Sequence, residues 1–416
     1  MSRRAGGARR IAAPWLISRA LVKVFDAIEA GGGEARVVGG AVRNSLLGLS
    51  VSDIDLATTT TPEETIRLAG ARGLAAHPTG VDHGTITVVS DGVAFEVTTL
   101  RRDVETDGRH AIVAFTTDWN QDAARRDFTI NGLFCRRDGV VVDSVGGLDD
   151  IDARRVRFIG DAGKRIREDY LRILRFFRFS AAFAEGPLDG DGLAACIALR
   201  DGIARLSAER VGAELMKLLQ GRRAGEIAAV MQAAGILELA IGRNGFPDRV
   251  MRLHEIEMEL GDAPDAITRL AALAVERPEE ARVLADRLRL SNADATKLSS
   301  AVAANDAFGS GALEAAARAA LYRYGAETYA RAVRVSWARS DAPSSDDAWR
   351  RRATLPERWT APKLPFGGAD VLALGLAPGP RVGAILSAFE AWWMQEDFPS
   401  NSSLLAARLE AFAKSD

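Results

Sequence analysis

Apolar residues recur at helical spacing over residues 16–30, and Gly31-Gly32-Gly33 ends that helix. A short apolar run at 36–38 then meets Gly39-Gly40 and a second helical stretch at 41–47, which reads as strand, tight turn, helix. Residues 51–56 predict the next strand. Thr61-Pro62-Glu63-Glu64 starts a helix, with a Thr cap, Pro at the first position and acids in the first turn. From Gly84 the pattern changes to period two, and residues 85–89 and 93–99 around Asp91-Gly92 predict a hairpin. Phe95, Val97 and Thr99 share one face of it, and Ala94, Glu96 and Thr98 the other. Residues 101–115 are polar, mixed in charge and contain Gly108, and predict a mobile loop. Strands at 134–137 and 140–143 flank the Asp138-Gly139 turn. From Lys164 through Phe179 one helix is predicted, its apolar stripe bordered by basic residues, and beyond about residue 225 helical spacing dominates.

Composition narrows the class. A chain of 416 residues exceeds what one core serves, so several domains are expected. With 47% hydrophobic and 26% charged residues it is an ordinary globular composition, without the apolar runs of a membrane span. The net charge of −2 gives no global sign of a nucleic-acid partner, so any such partner must meet a local patch. Two cysteines are too few for a disulfide framework or a structural zinc site, and the four histidines are scattered. The basic start lacks a long apolar segment, which predicts a cytoplasmic protein.

Candidate chemistry begins with Asp53 and Asp55. On a strand over 51–56 they face the same way, and two adjacent carboxylates must gain a proton or a cation. Magnesium (Mg2+) suits hard oxygen ligands, and a metal pair can hold the attacking and leaving oxygens of a phosphoryl displacement. Two solvated acids at a strand end are the plainer alternative. The Gly39-Gly40 turn lets backbone N–H groups approach an anion at a helix start, with Arg43 inside the first turn. Arg125 and Arg126 can clamp phosphates, while Asp127 and Asn131 offer groups to a ribose. Asp169, Arg172 and Arg175 recur at i, i+3 spacing on the 164–179 helix. A carboxylate accepting from an exocyclic amino group and a guanidinium donating to a ring nitrogen would accept C and A while rejecting G and U. The alternative is a surface ion pair.

GGAVRN followed by DIDLAT resembles the head motif of the class II nucleotidyltransferases, which comprise the bacterial CCA-adding tRNA nucleotidyltransferases and the bacterial poly(A) polymerases. The family's usual acid after the Arg is Asn44 in this chain. RRDFTING at 125–132 is similar to the second motif, E-D-x-x-R-x-x-R at 168–175 to the motif whose Asp and Arg read the incoming base, and L-S-x-E-R at 206–210 to the segment that braces that helix, with Ser207 as a cap. E-V-T-T at 96–99 matches the place where the family supplies a third acid, which would be Glu96, although the sequence leaves its facing open. Residues 368–383 resemble a turn near the family's carboxyl end. Trp392 and Trp393 are expected in the core.

The resemblance implies a multidomain protein: an α+β nucleotidyltransferase head with a mixed β-sheet and helices at 1–160, then all-α neck at 161–225 and body and tail at 226–416 that bind tRNA. It implies Asp53, Asp55 and Glu96 as catalytic, with Asp53 and Asp55 on the metal, and Gly39, Gly40, Arg43, Arg126, Asp127, Asn131, Asp169, Arg172 and Arg175 on the nucleotide. The expected reaction adds CCA to a tRNA 3′ end from CTP and ATP without a template. Poly(A) tailing, or addition of only C or only A, is the alternative. The segment 76–85 lacks the G-R-[RK]-F of the poly(A) enzymes, which favours the tRNA substrate.

Overall fold

The computed structural model describes residues 9–107, 110–303, 308 and 314–414, and the chain divides into two compact units, 1–214 with 234–239 and 215–233 with 240–416. The first unit holds the strands. Helix α1 (Arg19–Glu29) begins at a Ser18 cap and lays Leu21, Val24, Phe25 and Ile28 into the core. Strand β1 (Ala35–Val38) is buried at all four positions and turns at Gly39, whose φ of 70° suits a residue without a Cβ, into α2 (Gly40–Leu47). Strand β2 (Asp55–Thr58) follows, then α3 (Pro62–Ala71), whose Thr61 and Glu64 close a capping box.

Edge strand β3 (Ala75–Gly80) carries Pro78, which an edge tolerates because no neighbour needs its missing N–H. The hairpin β4 (Thr85–Ser90) and β5 (Val93–Thr99) turns through Asp91 and Gly92, both at positive φ, as its right-handed twist requires. With β8 (Phe134–Cys135) and β9 (Val141–Val142) these strands make one sheet in the order β3-β4-β5-β2-β1-β8-β9, mixed because β2 and β5 run parallel.

Two expectations are corrected. The strand predicted over 51–56 begins only at Asp55, and residues 51–54 are irregular, with the Ser52 hydroxyl donating to Asp53 at 2.9 Å. The loop predicted at 101–115 is a two-stranded ribbon, β6 (Arg101–Asp107) and β7 (His110–Phe115). The apolar second arm, Ile112, Val113 and Phe115, favours strand, while Gly108 lies outside the described residues.

Helices α4 (Trp119–Ala124), α5 (Gly147–Asp152) and α6 (Ala162–Glu168) lead to α7 (Leu171–Phe183), then α8 (Gly190–Ala198) and α9 (Ala208–Leu219). Phe128 packs on Phe158 and Phe179 at ring separations of 4.8 and 5.3 Å, and Phe158 stacks on Phe176 at 5.5 Å. This aromatic cluster joins the segment after α4 to the inner face of α7.

The second unit is helical throughout its described residues. One of its cores gathers Leu253, Ile256, Tyr329, Val333 and Trp337, and another gathers Val371, Ile385, Phe389, Trp393, Leu405 and Leu409 with Trp392 packed against it. Inside, Arg269 is fully buried; its guanidinium pairs with Glu257 and donates to the Leu219 and Gly221 carbonyls at 2.8 and 2.7 Å, which satisfies the charge.

Candidate active site

Sheet register builds the site. Val38, the last residue of β1, lies opposite Asp55, the first of β2, and Asp55 lies opposite Glu96 in β5. The Gly39-Gly40 turn and the two carboxylates therefore share one end of the sheet. Parallel register also answers the open question of Glu96, because laterally paired residues of neighbouring strands project to the same face. Burial raises the Asp55 carboxyl above the usual aspartate range, and Glu96 and then Asp53 raise it further, against an opposing pull from Arg126. Asp53 thus acts on Asp55 from the irregular segment before the strand rather than from a neighbouring pleat.

Beside these acids opens a cleft of about 440 Å³, lined by Gly39, Gly40, Arg43, Arg126, Asp127, Asn131, Asp169, Arg172 and Arg175, the nine positions read from the sequence as nucleotide contacts. Arg125, Leu171, Phe179 and Arg210 complete the wall. Within it, Arg43 donates to Asn131 at 2.7 Å, and Asn131 donates to Asp127 at 3.0 Å. Asp127 also accepts from the Phe128 backbone at 2.8 Å and from Arg175 Nε at 2.8 Å. Burial works against the Asp127 charge, but Arg175, Asn131 and the Phe128 N–H together hold its carboxyl below the ordinary range.

Arg125 and Arg126 are aimed by Asp122, which is 1% exposed and accepts from Arg125 Nε at 2.8 Å and Arg126 Nη2 at 2.9 Å. Burial opposes that charge and the two arginines outweigh it, so the carboxyl stays below the usual range. The same Asp122 accepts the backbone N–H of Arg101, the first residue of the ribbon, at 3.3 Å.

The helix predicted across 164–179 is broken at Asp169, whose φ of −156° and ψ of 109° are extended. One Asp169 oxygen accepts the Leu171 N–H at 3.1 Å and caps α7, while the other takes Arg210 at 2.7 Å. Arg172 pairs instead with Glu168 and donates to the Arg165 carbonyl at 2.9 Å. The expected Asp169–Arg172 pair is therefore two separately braced groups on one wall. From α9, Glu214 also receives Arg178, with Nε at 3.1 Å.

Sequence reasoning passed over Asp122 and Glu214 as site residues and read Arg210 only as part of the 206–210 segment expected to brace the helix. Their signals were faint: an acid three and four residues before the arginine pair, and an Arg and Glu at i, i+4.

The model of the poly A polymerase head domain matches residues 35–157. Over 411 residues the chain is 33% identical to the CCA tRNA nucleotidyltransferase 1, mitochondrial, of Danio rerio, covering 95% of this chain and 91% of that one. The chain belongs to the CCA tRNA nucleotidyltransferase family. A CCA-adding enzyme of Limosilactobacillus fermentum is 30% identical, covering 88% of this chain and 89% of its own length. The crystal structure of the Bacillus stearothermophilus CCA-adding enzyme in complex with CTP superposes with a TM-score of 0.72 at 26% identity, covering 96% of this chain and 98% of that one.

Membership in this nucleotidyltransferase family implies a divalent metal ion. Among the described residues no three His, Cys, Asp or Glu side chains are already gathered to hold one. The donor chemistry nevertheless fits: Asp53, Asp55 and Glu96 offer hard oxygens, and Asp55 carries a repulsion that a cation relieves. No helix among the described residues is long and apolar enough to cross a membrane.

Proposed function

We propose that the chain adds CCA to the 3′ end of tRNA from CTP and ATP, selecting each base with its own side chains and releasing pyrophosphate. The observation that carries this reading is the continuity of one wall: the carboxylate end of the sheet, the Gly39-Gly40 turn, the Arg126–Asp127–Asn131 segment and the Asp169–Arg172–Arg175 face border a single site in the first unit.

In this reading Gly39, Gly40, Arg43 and Arg126 receive the triphosphate, where the α2 start adds a favourable field. Asp127 and Asn131 hold the ribose through groups already fixed by hydrogen bonds, so little order is lost on binding. Asp169 accepts from the amino group of C or A and Arg172 donates to the ring nitrogen, while G and U would leave like groups facing one another. Arg175 orients Asp127. Magnesium held by Asp53, Asp55 and Glu96 would supply the positive charge that activates the primer hydroxyl and neutralises the departing pyrophosphate. Residues 1–160 perform the transfer, 161–225 read the base and 226–416 grip the tRNA. A cytoplasmic location completes the proposal; fractionation of the source cells tests it, since the Danio rerio relative is named as mitochondrial.

Incubating tRNA that ends at the discriminator base with CTP, ATP or both tests the reading. Two C additions with CTP, completed by one A when ATP is present, are expected. Long A tails on unrelated RNA would favour poly(A) synthesis, and arrest after C or failure without a prior C would favour a partial enzyme.

A further inference from the structure

Phe179 lies among three arginines. It is 6% exposed, forms part of the cleft wall, and meets Phe128 edge-on at 5.3 Å and Phe183 in a stack at 5.8 Å. The guanidinium carbon of Arg178 stands over its ring at 4.2 Å from the centroid, and those of Arg43 and Arg175 stand at 5.2 Å each. Like charges are crowded here. Burial first, and then Arg178 and Arg175, push the Arg43 pKa down to about 10 against the opposing pull of Asp127. Two acids face the three cations: Asp127 takes Arg175, and Glu214 takes Arg178, with Nε at 3.1 Å, and lies 3.8 Å from Arg175.

Two of these arginines hold opposite ends of one polar pair. Arg43 Nη1 donates to Asn131 Oδ1 at 2.7 Å, and Arg175 Nε donates to Asp127 Oδ2 at 2.8 Å. Asn131 Nδ2 joins the two acceptors by donating to Asp127 Oδ1 at 3.0 Å. The contacts therefore close a circuit that starts and ends on the Phe179 ring. An aromatic face suits that place. It attracts a cation through its quadrupole, while the guanidinium keeps the N–H donors that lie in its own plane for hydrogen bonds at its edge. A carboxylate would compete for those donors, and an aliphatic side chain would fill the space without attracting the charge.

We propose that Phe179 is a positioning residue for nucleotide binding, its ring the common support that aims Arg43 at Asn131 and Arg175 at Asp127 without neutralising either arginine. The inference rests on the nucleotide cleft proposed above. It adds that the side chains assigned to the ribose are set by attraction of two cations to one ring, and not by apolar packing alone.

The test places phenylalanine bearing one, two or three ring fluorines at position 179 of the full chain and measures CTP affinity in magnesium, without tRNA. Fluorine withdraws electron density from the ring face while changing its size little, so attraction to the arginines falls stepwise as the packing is kept. CTP affinity is expected to fall with each added fluorine, to about threefold to tenfold below the unmodified chain at three. The same series at Phe158, which belongs to the aromatic cluster but not to the arginine circuit, is expected to show no such trend. Affinity that stays level across the series at 179, or that falls equally in both series, would overturn the proposal. Absence of CTP binding by the unmodified chain would remove the nucleotide cleft itself, and the inference with it.

Discussion

Asp55 is held where its charge is unwelcome. Its carboxyl is raised by burial and by Glu96 and Asp53, so the fold binds its proton more tightly than the unfolded chain does. The resulting penalty is absent below the unfolded value of 3.8 and complete once the pH passes the raised folded value. D55N is therefore expected to melt above the wild type at pH 7 to 8 and to match it in strong acid, while nucleotide incorporation is lost; a lower melting point at neutral pH would contradict the electrostatic account. In the proposed reading, Asp169 and Arg172 choose the base. Replacing either with Ala should lower discrimination against G and U by about 1 to 3 kcal/mol, roughly 5- to 150-fold, read from misincorporation kinetics. At this scale the sequence was informative, because Asp53, Asp55 and the Arg126–Asp127–Asn131 run belong to short motifs whose order is visible along the chain. Asp122 was only faintly legible: its i, i+3 and i, i+4 spacing to Arg125 and Arg126 is common on any helix, and its importance comes from the 1% exposure that the fold gives it.

Elements show why the order of motifs becomes a site. The cluster of Phe128, Phe158, Phe176 and Phe179 packs the Arg126–Asn131 segment against α7, so the parts proposed to hold the ribose and to read the base rest on one apolar joint. Phe176 is fully buried, and F176A should cost about 3 to 5 kcal/mol in denaturant unfolding with a matching fall in nucleotide affinity. A loss near 1 kcal/mol would mean that the cluster is not a joint. Periodicity predicted α1, α3 and the β4–β5 hairpin closely, because caps, Gly stops and the Asp91-Gly92 turn are local signals. It missed the break at Asp169 because the competing interaction, Arg210 on α9, lies 41 residues away. It also took the β6–β7 ribbon for a loop, since the first arm, Arg101 to Asp107, has the composition of one.

At the level of the whole molecule, the acids proposed to hold the metal, Asp53, Asp55 and Glu96, are exposed at one end of the sheet and no buried core depends on them. Chelation of divalent ions is therefore expected to stop nucleotide addition and to lower the melting temperature only slightly, by the Asp55 repulsion that the ion relieves, with magnesium restoring both; a large drop in melting temperature would assign the ion a structural role. The change from mixed to helical pattern near residue 160 lies inside the first unit, and the division after residue 214, with the return of 234–239 to the first unit, has no local signature. The central claim is that the protein chooses the bases. It is tested most directly by sequencing the 3′ ends of a discriminator-ended tRNA after reaction with all four nucleoside triphosphates at equal concentration. Products ending in CCA and stopping there are predicted, whereas G or U at these positions, or an extended run of A, would contradict it.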